Sequence, residues 1–428
     1  MNIILDRPGV TDAERELRAG LVARAAELVP VLQANANWTA DDRRVAEENI
    51  RAIEDAGLFR IMQPRRFGGL ETDFRTKLEV TRELARGCGS TAWTTSLINV
   101  CAWFAGMWNE RAQDDVWKAN PGNRIAGVLA PTGTAEPVDD GYRVTGRWEW
   151  CTGCLHAQWA LLGIPITGNG ELSDQGFILV PMSELTIEDT WFVAGMRGTG
   201  SNTVVADKVF VPAHRYVSAF KLLSGSNDNP HKDEALCRAP FMPGGTVILA
   251  GPQLGLARAA LDLVVDKAAR RGIAYTFYDV QKDAPAVQLA VAKAASLADT
   301  AELLAYRAAA EVDQAGRQNE FPGYLARART RMDTVQAIVN AREAIRELVS
   351  VHGASAFAES SPLQRIWRDS EVASRHAIAN ARIGAEVYGR ALLGFTDGVT
   401  PLIWQAAGVT WLPGGRSWTL AQVVYRNS

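Results

Sequence analysis

The chain has 428 residues, more than one packed core usually contains, so two or three domains are expected. Its formal net charge of −3 argues against nucleic acid or an anionic membrane surface as the main partner. We expect no membrane-spanning run and no signal peptide at the start of the chain. The five scattered cysteines predict reduced thiols, so we expect a cytoplasmic protein without bound metal.

Residues 1–120 are predicted to form an N-terminal helical domain. The pair Thr11 and Glu14 has the spacing of a capping box ahead of a long amphipathic run. Thr39 is expected to open a second helix that stops at Gly57. Two further helices are predicted over residues 74–86 and 90–107.

Residues 121–217 are predicted to form a β domain, because strand-like pieces recur there at short intervals. The pair Asp140-Gly141 between apolar alternations predicts a hairpin. Short strands at this spacing indicate a barrel or a sandwich. The pieces expected as strands are 124–129, 142–151, 159–164, 176–180 and 203–211.

Residues 218–240 are expected to be a polar connecting loop, and residues 241–395 to form a C-terminal four-helix bundle. Ser361-Pro362 should open the last helix, which is expected to run unbroken to about Leu393. Alanine and glycine dominate these helices and allow close helix contacts, so we expect an oligomer. Residues 396–428 form an apolar tail that should pack on the rest. The predicted fold class is therefore α+β, mostly α.

Three ordered motifs resemble signatures of the acyl-CoA dehydrogenase superfamily, and the resemblance covers about residues 13 to 395. They are Ala56-Gly57-Leu58-Phe59-Arg60-Ile61-Met62 with Phe67-Gly68-Gly69, Gly195-Met196-Arg197-Gly198-Thr199-Gly200-Ser201, and Pro362-Leu363-Gln364-Arg365-Ile366-Trp367-Arg368-Asp369. Within that superfamily, Trp150-Cys151-Thr152-Gly153-Cys154-Leu155-His156-Ala157-Gln158-Trp159 is similar to a motif of the two-component flavin-dependent monooxygenases.

This resemblance implies the oxygenase component of such a system. Reduced FMN or FAD would come from a separate NAD(P)H:flavin reductase and react with O2 to give a C4a-hydroperoxide, which hydroxylates an aromatic or polycyclic natural-product-like substrate. We expect the oligomer to be a homotetramer. An N- or S-oxygenating enzyme of the same fold remains an alternative, as does a scaffold without catalytic activity.

An acyl-CoA dehydrogenase is the less favoured alternative, because that reaction needs a carboxylate base. The two places where the superfamily carries this acid hold Tyr388-Gly389-Arg390 and Met242-Pro243-Gly244-Gly245 here. Glu386 is offset by two residues, which turns it to another face of a helix.

His376 is the predicted catalytic residue. It is expected on the same helix face as an apolar stripe, where an imidazole can act as acid or base near neutral pH. The resemblance gives it the role of deprotonating or hydrogen-bonding the substrate hydroxyl, or of supporting the flavin hydroperoxide. A core histidine bonded to a backbone carbonyl is the structural alternative.

Thr152 is the second predicted catalytic residue, and it is also predicted to bind the flavin ring at N5 or O4. Trp150 is expected to wall or stack on the ring, and Arg197, Thr199 and Ser201 to meet flavin phosphate or ring oxygens. Each of these residues also has a structural reading as ordinary strand or turn packing.

The remaining predicted contacts are with a neighbouring subunit's flavin and with substrate. Gln281 and Gln288 are predicted to touch flavin across a subunit interface, although exposed helix positions would explain them equally. Trp93, Cys101 and His156 are predicted to contact substrate. Cys101 stands where related hydroxylases carry a histidine, so the resemblance leaves the substrate class open. The pair Cys151 and Cys154 lacks the second pair that a zinc site requires.

Overall fold

The computed structural model describes residues 9–168, 171–395 and 399–400. Nearly all of the predicted tail, 396–428, lies outside the described residues. The structure combines an N-terminal helical layer, a central mixed sheet and a C-terminal group of long helices.

Six α-helices form the N-terminal part, and the capping box of Thr11 and Glu14 opens the first as predicted. The prediction that Thr39 opens a helix was wrong, because Thr39 lies inside a short helix and its hydroxyl accepts a hydrogen bond from the backbone N of Ala46 (3.3 Å). A left-handed residue, Arg43 at φ +54°, then breaks the chain before the next helix begins at Glu47. The six are α1 (Asp12–Ala34), α2 (Ala36–Asp41), α3 (Glu47–Asp55), α4 (Phe74–Gly87), α5 (Gly89–Gly106) and α6 (Glu110–Trp117).

Eight strands form one mixed sheet in the order β6-β7-β3-β2-β4-β5-β8, with β1 parallel to β4. The predicted hairpin is present, since Val138 pairs with Gly141 and Asp140 adopts φ +63°. Three short strands, β2, β6 and β8, were missed. The strands are β1 (Ile125–Val128), β2 (Thr134–Val138), β3 (Gly141–Trp148), β4 (Trp159–Gly168), β5 (Glu171–Pro181), β6 (Thr186–Glu188), β7 (Thr203–Pro212) and β8 (Tyr216–Ser218).

The sheet has its own apolar core, and buried contacts hold one end of the sheet in place. Trp148 is fully buried at the end of β3, and its Nε1 donates to the carbonyl of Gly163 (2.7 Å). Trp148 also pairs with Val204 near the start of the antiparallel strand β7. The loop after β3 and the loop before β7 therefore leave the sheet side by side, and Cys151 N donates to Asn202 O (3.0 Å) between them.

The connection over residues 218–240 was predicted as a loop but contains two short helices, α7 (Ala219–Leu223) and α8 (Ala235–Arg238). Buried polar contacts hold this segment in place. Asn229 is buried, and its Nδ2 donates to the carbonyl of Gly106 at the end of α5 (2.6 Å).

Long helices with alanine-rich contacts follow. Gly255 of α10 packs so closely on the Arg82 carbonyl of α4 that a methyl group there would overlap it, which shows why small residues are needed at this crossing. These helices are α9 (Phe241–Val247), α10 (Ala250–Ala268), α11 (Pro285–Gln318), α12 (Tyr324–His352), α13 (Pro362–Ala373) and α14 (Ala381–Leu392).

The last helix is not continuous, so the prediction that His376 lies on a helix face was wrong. The chain leaves α13 after Ala373 and passes through a 3-10 turn at Ala377–Ala379 before α14 begins. The Asn380 Oδ1 caps α14 by accepting from Arg382 N (3.1 Å) and Ile383 N (3.2 Å). Such local side-chain hydrogen bonds compete with those of a continuous helix.

One helical stretch, Phe241–Ala268, is long and apolar enough to cross a membrane by length and composition, although no such run was expected from the sequence. Its most apolar window has a mean hydropathy of 1.4, and 72% of that window is buried inside the protein. Because a buried core helix passes the same test, this stretch is weak evidence for a membrane span.

Candidate active site

Three buried hydroxyl groups connect the two neighbouring loops at the end of the sheet. The Thr152 Oγ1 lies 2.7 Å from the Ser201 Oγ, which lies 2.7 Å from the Thr199 Oγ1. The Thr199 hydroxyl in turn donates to the carbonyl of Met196 (2.9 Å). Three residues predicted from two separate motifs are therefore brought together in one hydrogen-bonded chain.

Trp150 stands beside this chain in a strained backbone conformation. It has φ +68°, which is rare for a bulky residue and is often found at functional sites. Its ring is 61% exposed and stands edge-on to Trp191, with ring centroids 4.9 Å apart. Trp150 therefore presents an aromatic surface next to the buried hydroxyls, as a wall for a flat ring would.

The glycines of the second loop allow close packing on helices. A methyl group at Gly195 would overlap the carbonyl of Arg368 in α13, and one at Gly198 would overlap Thr39 in α2. Asp369 of α13 fixes the same loop, because its Oδ1 accepts from Met196 N (2.6 Å). Burial raises the pKa of Asp369 to about 6.

Arg197 lies in this loop but turns toward the N-terminal helices. Its Nε donates to the carbonyl of Ala40 at 2.9 Å. The guanidinium is half-buried, and this bond fixes its direction. A role in binding phosphate or ring oxygens stays a prediction for Arg197.

His376 lies against α5, with its imidazole centroid 5.8 Å from the indole ring of Trp93. The ring is half-buried, and desolvation lowers its pKa to about 4. Its Nδ1 accepts a long hydrogen bond from Ile378 N (3.4 Å). The imidazole is therefore neutral near pH 7.

Thr94, the residue after Trp93, was missed by sequence reasoning. Its side chain is buried, and its Oγ1 has no hydrogen-bond partner among the described residues. The Thr94 methyl group also lies beside Gly153, 3.4 Å from where a β-carbon would be. Adjacent residues of α5 thus touch His376 on one side and the Thr152 loop on the other. An unpaired buried hydroxyl costs free energy, so a ligand that supplied a hydrogen-bond partner to Thr94 would be favoured there.

Comparison with known proteins shows the family to which the chain is similar. The acyl-CoA dehydrogenase N-terminal domain matches residues 11–117, and the acyl-CoA dehydrogenase C-terminal domain matches residues 247–381. The chain is 36% identical over 397 residues to the flavin-dependent monooxygenase, oxygenase subunit HsaA, of Mycobacterium tuberculosis, covering 91% of this chain and 100% of that protein.

Two further similarities agree with this one. The FADH(2)-dependent resorcinol hydroxylase, oxygenase component, of a Rhizobium species is 33% identical over 89% of this chain and 96% of its own. The structure of XiaF from a Streptomyces species in complex with FADH2 and glycerol is 37% identical, with a TM-score of 0.87 over 91% of this chain and 98% of XiaF.

The chain belongs to the oxygenase components of the flavin-dependent monooxygenases. Its fold is that of the acyl-CoA dehydrogenases, as the sequence motifs predicted.

Neither place where the superfamily carries its base holds a buried carboxylate in the oxygenase. Glu386 is exposed on α14. At the other place, a β-carbon on Gly244 would lie 2.8 Å from the Phe74 ring, so this position is filled by the aromatic core. The described residues also contain no group of three or more histidine, cysteine or acidic side chains that could hold a metal ion.

Cys101 and His156 are the two other predicted substrate contacts, and each has a neighbour within the protein. Cys101 is buried against Gly127 of β1, and burial raises its thiol pKa to about 12. His156 is buried with its Nδ1 3.6 Å from Glu47, and desolvation lowers its pKa to about 4. The His156 Nε2 has no partner among the described residues, so a contact with a ligand stays a prediction for it.

Gln281 lies in a turn between α10 and α11, and Gln288 lies in the first turn of α11; both are distant in sequence from the hydroxyl chain. Gln281 is buried and its backbone N donates to the Arg271 carbonyl (2.7 Å), whereas Gln288 is exposed and its Nε2 donates to the Lys282 carbonyl (2.9 Å). No hydrogen bond connects the side chain of either residue to the Thr152 loop among the described residues, and a flavin contact across a subunit interface stays a prediction for both.

A cavity of about 780 Å³ lies elsewhere in the oxygenase, between the start of α12 and the end of α14. Its lining includes Tyr324, Arg329, Tyr388 and Phe395, and none of the predicted site residues. The cavity is large, but because none of the predicted site residues lines it, we assign it no part in the chemistry of Thr152 and His376.

Proposed function

We propose that this oxygenase hydroxylates a phenolic or other aromatic substrate, using O2 and reduced flavin delivered by a separate reductase. The observation that carries the proposal is the neutral imidazole of His376 held against the indole of Trp93. An imidazole and an indole suit a phenolic ring, because one supplies a polar contact and the other an aromatic surface.

The residues around Thr152 fit a flavin. The exposed face of Trp150 suits a flat aromatic ring, and the Thr152 hydroxyl offers hydrogen bonding beside it. The unpaired Thr94 Oγ1 supplies a further polar group on the α5 side. Reduced FMN or FAD bound there would supply the activated oxygen for hydroxylation.

His376 would orient the substrate as a hydrogen-bond donor. Because its Nδ1 accepts from Ile378 N, the neutral ring carries its proton on Nε2. An Nε2–H can donate to a phenol or phenolate oxygen and so place the neighbouring ring carbon. The low pKa keeps the ring neutral through the physiological range, so this role does not depend on a change of charge.

Trp93 and its neighbours would keep water out of the site. Trp93 is buried, and the α5 face beside it carries Ile98 against Gly153. A dry site protects reactive oxygen species from wasteful breakdown to peroxide. The named activities of two relatives, resorcinol hydroxylase and p-hydroxyphenylacetate 3-hydroxylase, support a phenolic substrate class for this chain.

We also propose a cytoplasmic homotetramer in which Gln281 and Gln288 approach the flavin of a neighbouring subunit. In support, Tyr275 and Phe277 between α10 and α11 are fully exposed in the single chain, and Leu289 near the start of α11 is 73% exposed. Apolar patches of this kind mark association surfaces. Sedimentation equilibrium of the purified protein tests the assembly, and a monomer at micromolar concentration would contradict it.

The test of function supplies reduced flavin without the reductase. Protein, anaerobically reduced FMN or FAD and a panel of phenols are mixed with O2, and hydroxylated product and H2O2 are measured. We expect product with at least one phenol, with less H2O2 than without substrate. Formation of one H2O2 for each reduced flavin oxidised, with every phenol, would contradict an aromatic hydroxylase.

A further inference from the structure

Arg331 is a buried arginine that has no acidic partner among the described residues. It lies in α12 and is only 3% exposed. Its Nη2 donates one long hydrogen bond to the carbonyl of Ile378 (3.4 Å), while its Nε and Nη1 are buried without a partner. Burial lowers the pKa of Arg331, and no carboxylate of the described residues offsets this effect. The guanidinium nevertheless keeps its charge, because the pKa of an arginine is normally above about 12.

The lack of an acidic partner is not general to the buried arginines of this chain. Arg18 is also buried, and its Nη2 lies 3.0 Å from the Asp73 Oδ2. Asp333 is the acidic residue nearest to Arg331 in sequence, but Arg307 binds both of its oxygens (2.6 and 2.7 Å). A buried guanidinium without a counter-charge is unfavourable, so a negatively charged group from outside the described residues is expected beside Arg331.

The guanidinium lies beside the turn that contains His376. Val335, one turn further along α12, packs against Gly384 of α14, so Arg331 lies on the same helix face. Its acceptor, Ile378, belongs to the turn before α14, and the N–H of Ile378 donates to the His376 Nδ1 (3.4 Å). The N-terminus of α14 begins shortly after this turn and also favours a negative charge.

We propose that Arg331 binds a carboxylate of the substrate, so that the preferred substrates of this oxygenase are phenols that also carry an acid group. The inference rests on the proposed function, in which the His376 Nε2–H donates to the phenolic oxygen. One backbone residue, Ile378, is bonded to both side chains, through its N–H to His376 and through its carbonyl to Arg331. The rigid planar guanidinium matches the geometry of a carboxylate, and its free N–H groups would bind one beside the predicted catalytic residue.

The test measures kcat and KM for matched pairs of a phenolic acid and its neutral methyl ester, with reduced flavin and O2 supplied to the whole protein. The acids are p-hydroxybenzoate, p-hydroxyphenylacetate and p-hydroxyphenylpropanoate, so the spacing between the ring and the acid group varies. For at least one pair we expect the unmodified protein to have a KM about 10- to 100-fold lower for the acid, the effect of hydrogen bonds to a charged group. Arg331→Met should raise the KM of that acid by a similar factor and leave its kcat and the KM of the ester nearly unchanged.

Three further measurements separate substrate binding from a structural role. Arg331→Met removes a buried charge without a partner, so its melting temperature should not fall. Arg331→Lys keeps the charge and should recover part of the preference for the acid. Arg329→Met is the matched control, because Arg329 lies in the same helix but is exposed, and its loss changes the net charge equally. This control should leave the KM of acid and ester unchanged.

The outcomes distinguish the inference from the proposed function. Equal KM values for every acid and its ester would overturn the inference, and so would an equal rise in both KM values in Arg331→Met. A lower melting temperature of Arg331→Met with an unchanged preference for the acid would assign the guanidinium to the fold and would also overturn it. Stabilisation of the unmodified protein by inorganic phosphate, lost in Arg331→Met, without any preference for an acid would identify an inorganic anion as the partner instead of substrate.

A substitute variant keeps the test valid. Should Arg331→Met fail to fold, Arg331→Gln takes its place, since it is also neutral and should raise the KM of the acid alone. Failure of the unmodified protein to hydroxylate any acid, ester or other phenol would instead contradict the proposed function.

Discussion

The indole of Trp93 and the imidazole of His376 lie with their ring centroids 5.8 Å apart and their planes inclined at 56°. Trp93 belongs to α5 in the N-terminal layer, and His376 to the turn between α13 and α14. The contact joins the two helical parts of the chain at the place where the sheet loops also arrive. It gives the site one aromatic wall and one polar group from different parts of the sequence.

Replacing His376 tests its role as a donor. His376→Ala should lower the rate of hydroxylation by about 10- to 100-fold, the effect expected for losing a hydrogen bond to a charged or partly charged oxygen. His376→Gln retains a donor and should recover part of this loss. The rate of product formation after mixing with O2 measures both. His214→Ala, which breaks a pair with Asp115 outside the candidate site (2.7 Å), is the control; an equal loss in His376→Gln and His376→Ala would contradict a donor role.

Replacing Thr94 should reduce the coupling of the reaction without reducing the stability of the protein. Thr94→Val removes a buried hydroxyl without a partner, so the free energy of unfolding should stay the same or rise by about 1 kcal/mol. The coupling of flavin oxidation to hydroxylation should fall, because the site loses a polar group. Thr95→Val is the matched variant, since the Thr95 hydroxyl donates to Thr91 O (2.9 Å) and its loss should cost about 1 kcal/mol. Urea denaturation and product yield together check the prediction, and unchanged coupling in Thr94→Val would remove this residue from the site.

The glycine at position 195 should be sensitive to the smallest substitution. Gly195→Ala places a methyl group on the Arg368 carbonyl, so the loop must move away from α13 and the bond from Met196 N to Asp369 must lengthen. We expect a loss of about 1 to 3 kcal/mol in the free energy of unfolding and weaker flavin binding. Gly323→Ala, where a β-carbon would meet nothing within 4 Å, should have little effect. Equal stabilities of the two variants would show that the loop does not depend on this packing.

The buried imidazole of His156 should make stability depend on pH. Its pKa is about 4 in the folded protein, against about 6.5 in an unfolded chain, so the unfolded chain binds more protons between these values. The stability it contributes is full above pH 6.5 and is lost as the pH falls toward 4, with a slope approaching about 1.4 kcal/mol per pH unit. His156→Gln should remove this part of the slope. Urea denaturation at several pH values measures it, and identical slopes for the two proteins would contradict the shift.

Much of the fold was predictable because its signals are local. The capping box of Thr11 and Glu14 and the hairpin at Asp140-Gly141 each depend on neighbouring residues, and the structure contains both of them. The helix break before His376 was missed, because the competing hydrogen bonds of His376 and Asn380 are weak signals inside a strong helical pattern. Strands such as β6, with three residues, are too short to show an alternation.

Those residues of the site that belong to the sequence motifs could be predicted. The motifs around Thr152 and Ser201 contained the residues of the hydroxyl chain, but their direct contact across 49 positions depends on the pairing of β3 with β7. Thr94 could not be found, because a threonine inside a helix normally bonds to a carbonyl of the preceding turn. Only the coordinates show that its hydroxyl is buried and unpaired.

The most direct test of an oxygenase is the origin of the oxygen atom in its product. Protein, reduced flavin and a phenol that is turned over should be mixed with ¹⁸O2, and the product analysed by mass spectrometry. We expect one labelled oxygen atom in each hydroxylated molecule. Product without label, or reduction of the bound flavin by an acyl-CoA under anaerobic conditions, would contradict the account.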